Sequence, residues 1–151
     1  MPQSLCKIYL HVIFHIKTTS STIQSEHLNR LHQYIGQLVN QTGCKCVKVG
    51  GTNNHVHILM LMAKNATLPD VLEYIKRNSS RWLKTIATSY NKFSWQGGYG
   101  VFSIGQSQAD TVIKYIENQE EHHKRQNTYD EFIQFLKLYG VEYDDNYVLK
   151  D

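Results

Sequence analysis

The chain has 151 residues, of which 41% are hydrophobic and 19% are charged, and its formal net charge is +3 at pH 7. This length predicts one domain over residues 1–151 whose core needs no disulfide. The sequence contains no apolar stretch near the roughly 20 residues of a membrane span. We expect a cytoplasmic protein with reduced cysteines and no membrane partner, since only three cysteines and no secretory leader are present.

The first elements follow clear periodicities. Residues 5 to 16 alternate, with Tyr9, His11 and His15 on one side, which predicts a half-buried strand with an open polar face. Apolar residues then recur at helical spacing from Leu28 to Val39, and this helix ends at Gly43. A second strand is predicted from Cys44 to Val49.

A turn over residues 50–54 leads into the apolar run Val56–Met62, so the second and third strands should form a hairpin. His55 and His57 leave the third strand on the same face, about 7 Å apart. Two imidazoles on one rigid strand can bind one metal ion. A pair of hydrogen-bonded core histidines is the simpler alternative for an isolated His-x-His.

The second half of the chain predicts three more helices and one strand. Thr67 and Pro69 begin a helix, a short strand covers Val101–Ile104, and Ser107 and Asp110 cap a third helix. Thr128 and Glu131 repeat this capping box for a last helix. The order β-α-β-β-α-β predicts an α+β, ferredoxin-like (split β-α-β) sandwich with an antiparallel sheet and extra C-terminal helices. The histidine face would then be the one that the helices leave uncovered.

The third helix carries a possible catalytic group. Tyr115 and Gln119 are four residues apart and should be neighbours on one helical face, with His122 at the same edge. Taken alone, Tyr115 is better explained as a packed ring with a hydrated hydroxyl.

In combination these residues are more specific. His55-Val56-His57 followed about sixty residues later by Tyr115-Ile116-Glu117-Asn118-Gln119 resembles the single-tyrosine HUH transposases of the insertion-sequence 200/605 group. Gly50-Gly51 and the segment Trp95–Tyr99 also resemble that family, and the likeness covers nearly the whole chain. Asn54 departs from it, because the family often has an acidic residue there, and this should weaken polarisation of His55.

The resemblance implies a transposase that cuts single-stranded DNA with stem-loop ends. His55, His57 and Gln119 would hold a divalent ion, Mg²⁺ or Mn²⁺, and Tyr115 would be the catalytic nucleophile that forms a 5′-phosphotyrosine. The family also implies a homodimer whose active sites are shared between subunits, with Gly105-Gln106-Ser107 as a possible hinge. The sequence shows no obvious general base for Tyr115.

Candidate DNA contacts are weaker. Arg77, Arg81 and Lys84 form a basic row that is equally well explained as a solvated helix face. Lys7, His11 and His15 lie on the open face of the first strand. Trp95 and Tyr99 could stack on bases, although core packing explains Trp95 as well.

Three alternatives remain open on the sequence. Cys44 and Cys46 could join the two histidines in a zinc site, although a Cys-x-Cys spacing is unusual for structural zinc. A non-catalytic single-strand nucleic-acid binder could use the same sheet, but it leaves Tyr115 and Gln119 unexplained. A domesticated relative could cut repeated genomic hairpins without mobilising its own gene.

Overall fold

The computed structural model describes residues 2–123, 126–145 and 148. They form one four-stranded sheet with helices on both of its faces. In chain order the elements are β1 (Tyr9–His15), α1 (Ser25–Gln41), β2 (Lys45–Gly51), β3 (His55–Leu61), α2 (Leu68–Ile86), β4 (Gly100–Ile104), α3 (Ala109–Glu117), α4 (Gln119–His123) and α5 (Thr128–Leu138).

The sheet has the strand order β2-β3-β1-β4 and every neighbouring pair is antiparallel. The α+β fold expected from the element order is therefore confirmed. The two central strands are β1 and β3, and their register places Ile13 opposite His57 and His15 opposite His55. The two histidines consequently lie in the middle of the sheet, on a strand paired on both sides.

One face of the sheet packs against α1 and α2 in an aliphatic and aromatic core. The Thr67 hydroxyl begins α2 by accepting a hydrogen bond from the Asp70 N–H at 3.3 Å, and Gly43 follows α1 with a φ of +91°. Both helices bury the apolar stripes that their sequences predict, and the central strands supply alternate side chains to the same core. Its fully buried members include Val12, Phe14, Leu31, Ile35, Ile58, Met60, Ile75 and Leu83.

The opposite face is covered by the C-terminal helices, so the predicted open polar face of β1 is wrong. His11 is 1% exposed and His15 is 8% exposed. Two small apolar clusters attach the helices to this face. One cluster contains Ile13, Phe102, Phe132 and Leu136, and the other contains Leu59, Ile104 and Ile116.

Two glycines allow this close packing. A Cβ at Gly50 would lie 2.6 Å from the carbonyl oxygen of Ile116, and a Cβ at Gly100 would lie 2.7 Å from the Phe132 ring. Real Cβ atoms do not approach so closely, so another residue at Gly50 would force the α3 backbone away from the sheet, and one at Gly100 would force the Phe132 ring to move. These glycines thus help to set how near the C-terminal helices come to the histidine strand.

The structure corrects three local predictions in the C-terminal half. Neither Ser107 nor Glu131 takes part in a helix cap: a 3₁₀ turn over Gln106–Gln108 precedes α3, and the Asn127 side chain caps α5. The predicted single helix through Tyr115 and Gln119 breaks at Asn118, where φ is −100° and ψ is 23°. Tyr115 and Gln119 therefore lie on two short consecutive helices.

Across the described ranges, no helix combines the length and the apolar character that crossing a membrane requires.

Candidate active site

Two imidazoles and one carboxylate come together under the C-terminal helices. His55 and His57 are both 0% exposed on β3, and Glu131 on α5 is 1% exposed. One potential ligand atom from each of the three lies within 4.8 Å of the others. The alternation of β3 aims both histidines at the same face, while Val56 and Ile58 enter the opposite core. Among the described residues, these two histidines and this glutamate are the side chains close enough together to hold a metal ion.

His55 is held at both ring nitrogens. Its Nδ1 lies 2.8 Å from the Asn54 Oδ1 and 2.9 Å from the Thr52 hydroxyl. Its Nε2 lies 2.9 Å from the Gln119 Oε1. With a proton on Nδ1 donated to Asn54, Nε2 faces Gln119 as a bare nitrogen, which is the state a metal ligand needs. The family resemblance leads one to expect an acidic residue at position 54. In this chain Asn54 is neutral, but its side-chain oxygen still accepts a hydrogen bond from His55.

His57 connects the site to a third buried histidine. Its Nδ1 lies 2.8 Å from the His11 Nε2, and its Nε2 lies 3.0 Å from the Glu131 Oε1. Burial, and then the neighbouring His57, lower the pKa of His11 to about 3, so His11 is a neutral imidazole. His11 therefore orients His57 in the way that outer partners orient metal-binding histidines.

The Tyr115 hydroxyl lies at the edge of the same cluster. It donates a short hydrogen bond to the Glu131 Oε2, and its ring meets that of His57 edge to face at 5.7 Å. Burial raises the pKa of Tyr115 well above its usual value, and the hydrogen bond to Glu131 and its charge raise it further. In this arrangement Tyr115 is a neutral phenol whose proton is directed at a carboxylate.

Glu131 is the residue that sequence reasoning missed. Its spacing from Thr128 matched a helix cap, but the Asn127 side chain accepts from the Asp130 N–H at 2.8 Å and takes that role. Thr128 instead donates to the Asn54 Oδ1 at 3.1 Å, which fixes the start of α5 beside β3. One turn later, Glu131 enters the site.

The electrostatic state of Glu131 follows from its neighbours. Desolvation works to raise the pKa of its carboxyl, but the hydrogen bond and charge of His57 and the hydrogen bond from Tyr115 together bring it well below its usual range. The His123 Nε2 lies 3.2 Å from the second carboxylate oxygen. Glu131 is therefore ionised, as a metal ligand or proton acceptor must be.

The donor atoms fit a divalent cation. Imidazole nitrogens from His55 and His57 combine with the amide oxygen of Gln119 and the carboxylate of Glu131. Mixed nitrogen and oxygen ligands suit Mn²⁺, whereas Mg²⁺ prefers oxygen more strongly. The charge of Glu131 also offsets part of the charge of an ion in this buried place.

The zinc alternative is not supported. The Cys46 position pairs with Met60 in the sheet, and Cys44 and Cys46 pack in the core under α1 and α2. The Cys44 thiol lies 3.7 Å from the Met62 sulfur. The sheet thus separates both thiols from the histidine pair.

The candidate DNA contacts are dispersed. Arg77, Arg81 and Lys84 are exposed on α2, which covers the sheet face opposite the histidines, and Arg77 pairs with Glu73 at 2.9 Å. Lys7 is exposed just before β1 and lies over the Tyr9 ring. Tyr99 is 36% exposed.

Four further candidate residues either have a different role from the predicted one or fall outside the described part of the structure. Trp95 is 6% exposed and donates to the Ser79 hydroxyl at 3.0 Å, so it belongs to the core and does not offer a stacking surface. His11 and His15 are buried and do not form an open DNA-binding face. The side chain of His122 lies outside the described residues.

Comparison with known proteins identifies the family of this chain. The family model described as Transposase IS200 like matches residues 4–119. The chain belongs to the IS200-like transposase family. The matched segment includes the histidine pair of β3 as well as Tyr115 and Gln119. It ends before α5 and therefore does not include Glu131. An IS200-like transposase acts in DNA transposition, so the buried polar cluster is expected to serve DNA chemistry.

Individual relatives of this IS200-like transposase are distant in sequence. The ISDra2 transposase TnpA of Deinococcus radiodurans is 21% identical over 116 residues, which are 74% of this chain and 83% of the relative. A crystal structure assigned as a transposase from the same species has a TM-score of 0.60 at 20% identity, covering 79% of this chain and 98% of its own. A REP-associated tyrosine transposase bound to a REP hairpin has a TM-score of 0.59 at 11% identity, with coverages of 82% and 73%. These structural likenesses establish the shared fold.

Proposed function

We propose that this protein is a metal-dependent single-stranded DNA endonuclease and strand transferase that works through a 5′-phosphotyrosine intermediate. One observation carries the proposal: the Tyr115 hydroxyl and the His57 ring contact the two oxygens of the same buried carboxylate, Glu131. A nucleophile, its proton acceptor and a metal-ligand set therefore share one place. A non-catalytic binding module gives no reason to bury such a cluster.

His55, His57 and Gln119 would hold the divalent cation, Mg²⁺ or Mn²⁺, and Glu131 adds an oxygen that the sequence did not suggest. When bound, the cation polarises a phosphate oxygen and offsets charge that develops at phosphorus. Asn54 and His11 keep the two imidazoles in the orientation in which Nε2 faces the ion. Glu131 stays anionic because the Tyr115 hydroxyl donates to it, and the cation would stabilise the same negative charge.

Tyr115 would act as the nucleophile. Its hydroxyl oxygen forms a bond to phosphorus, the bond from phosphorus to the 3′ oxygen breaks, and the 3′ end leaves as a hydroxyl after it takes up a proton. The Tyr115 proton passes to the Glu131 Oε2, to which it is already hydrogen-bonded. Reversal of these steps with another 3′-hydroxyl joins the strand to a new partner. An aryl leaving group keeps that second exchange favourable.

The substrate class is single-stranded DNA with stem-loop ends, and a hairpin-bound structural relative supports this choice. Arg77, Arg81 and Lys84 lie across the sheet from Tyr115, so they would contact DNA outside the cleaved strand. Lys7 and Tyr99 are proposed as minor contacts. We place the reaction in a bacterial or archaeal cytoplasm, close to the nucleoid.

The direct test is incubation with stem-loop single-stranded DNA in Mn²⁺, followed by a denaturing gel. Wild-type protein should give a free 3′-hydroxyl strand and a covalent protein–DNA adduct. Tyr115→Phe keeps the packed ring and removes only the hydroxyl, so binding should persist while the adduct disappears. Adduct formation in the presence of a chelator, or undiminished adduct from Tyr115→Phe, would contradict the mechanism.

Subunit exchange is tested separately. The family resemblance implies a homodimer with shared sites, whereas the described chain brings Tyr115 and Gln119 to its own histidines. Mixing His57→Ala protein with Tyr115→Phe protein should restore partial cleavage if α3 is exchanged between subunits. No recovery in verified heterodimers would show that each site is assembled within one chain.

A further inference from the structure

A cavity of about 270 Å³ lies beside the proposed nucleophile, between α3 and α5. The Tyr115 ring forms part of its wall, together with Phe135 and Tyr139. Thr111 and Gln134 also line it and are exposed, so the cavity opens to solvent on that side. Its buried end includes His11, which is only 1% exposed. The proposed mechanism makes no use of this space.

His11, at the buried end of the cavity, has an unused hydrogen-bonding atom. Its Nε2 contacts His57 at 2.8 Å, while its Nδ1 is buried without a hydrogen-bond partner among the described residues. A buried polar atom without a partner costs stability and is uncommon in native proteins. A ligand group that completes this hydrogen bond would remove that cost.

The proton on His11 can be assigned from its neighbour. If His57 binds the cation through Nε2, its remaining proton lies on Nδ1 and is donated to the His11 Nε2. The neutral His11 ring then carries its own proton on Nδ1. The histidine at the buried end of the cavity therefore carries one unpaired N–H donor, next to aromatic side chains.

We propose that this cavity receives the base of a nucleotide that flanks the scissile phosphate, and that His11 Nδ1 donates a hydrogen bond to an acceptor atom on that base. This inference rests on the proposed function, because it places the scissile phosphate at the Tyr115 hydroxyl. Tyr115 joins the two sites: its hydroxyl contacts the metal-ligand cluster and its ring lines the cavity.

Aromatic rings form much of the cavity lining and pack against one another. Phe135 meets both His11 at 5.3 Å and Tyr115 at 5.6 Å, edge to face, and it stacks with Tyr139 at 6.2 Å. Aromatic walls stack on any base, so they supply affinity without sequence preference. The single donor supplies the preference, because a base that lacks an acceptor at that position leaves the donor unpaired.

A pair of matched substitutions separates this role from the orientation of His57. In His11→Gln the side-chain amide reaches the position of the imidazole Nε2, so it still accepts from His57 but leaves the cavity without its donor. In His11→Asn the shorter side chain places its amide near the Nδ1 position, so a donor remains while the contact with His57 is lost. A role limited to orienting His57 would give the opposite pattern, with base preference kept in His11→Gln and altered in His11→Asn.

The experiment is selection of bound DNA from a stem-loop oligonucleotide with a degenerate single-stranded flank, in Mg²⁺. Tyr115→Phe is the background, so that binding is measured without cleavage. We expect one flank position to be enriched in one base by about fivefold, the ratio given by one net hydrogen bond. His11→Asn should keep this enrichment and His11→Gln should lose it. Retention in His11→Gln, or no enriched position in the parent, overturns the pocket.

A second measurement needs neither cleavage nor a variant in the cavity. Side-chain ¹⁵N spectra of wild-type protein in Mg²⁺ should show His11 protonated at Nδ1, and its signal should move when the preferred deoxynucleoside is added. Protonation at Nε2 would overturn the assignment of the donor. The catalytic proposal is judged separately by the covalent adduct of wild-type protein: an adduct without base enrichment rejects the pocket alone, and enrichment without an adduct rejects the chemistry alone.

Discussion

The two faces of the sheet are both buried, but they are filled with different chemistry. Under α1 and α2 the buried side chains are almost all aliphatic or aromatic. Under α3, α4 and α5 the buried set includes His11, His55, His57, Gln119 and Glu131. Buried polar groups cost free energy even when they are paired. The first face therefore stabilises the fold, whereas the buried polar side chains of the second face lower its stability and form the candidate site.

The largest effect is expected on the second face. His57→Ala should lower cleavage on the order of 10³-fold or more, because it removes a metal ligand and several kcal/mol of transition-state stabilisation. Rates of adduct formation in Mn²⁺ measure this loss, and DNA binding should persist. His32→Ala is the control, since His32 lies on α1 and is not a member of the group that could hold the ion. Equal cleavage by both variants would remove the catalytic distinction between the faces.

Glu131→Gln should have the next largest effect. The substitution keeps the size of the side chain but removes the proton acceptor and the charge, so cleavage should fall by about 10²- to 10⁴-fold. Asp130→Asn, an exposed neighbour on the same helix, should leave the rate within about twofold. If Glu131→Gln cleaves at the wild-type rate, Glu131 contributes packing and hydrogen bonding only.

Ile35→Ala on the first face should act on stability alone. Ile35 is 0% exposed, and its truncation should lower the free energy of unfolding by about 2–5 kcal/mol. Denaturant titration measures this change, and Leu5→Ala at an 84% exposed position should change it by less than about 0.5 kcal/mol. A large fall in cleavage per folded molecule would show that the two faces are coupled.

The smallest effect is expected for the basic row on α2. Arg81→Ala and Lys84→Ala should each weaken DNA binding about two- to fivefold and reduce the salt dependence of binding by about 0.7 to 0.9 per lost phosphate contact. Binding curves at several salt concentrations measure both quantities. Lys92→Ala, at an exposed lysine outside the row, is the charge-matched control. If Arg81→Ala and Lys84→Ala leave the salt dependence of binding unchanged, these two residues do not contact DNA phosphates and are part of an ordinary solvated helix face.

The sequence predicts the first face well because its signals are local. Helical spacing from Leu28 to Val39, the Thr67 cap and the turn before His55 each specify their own element. Once these elements are fixed, the alternation of side chains along each strand decides which of them enter the core. The predictions of α1, α2 and the β2–β3 hairpin therefore match the structure to within a few residues.

The second face depends on how distant segments pack, and local patterns do not report this. Glu131 has the spacing of a helix cap, yet α5 begins with Thr128 hydrogen-bonded to Asn54 and turns Glu131 toward the histidines. His11 looks like an exposed strand residue until the C-terminal helices cover it. Tyr115 and the histidine pair were found through their resemblance to a family, whereas the carboxylate between them is visible only in three dimensions.

The short turn before β3 has an evolutionary consequence. His55 and His57 alternate along one strand with Val56 and Ile58, which fill the opposite core. An insertion or deletion in residues 52–54 that was absorbed by a one-residue slip of β3 would exchange the two sets. The histidines would enter the aliphatic core and the valine and isoleucine would line the reactive site. A change in the length of that turn would therefore be selected against from both sides of the sheet at once, and Thr52 and Asn54 within it are constrained further by their contacts with His55.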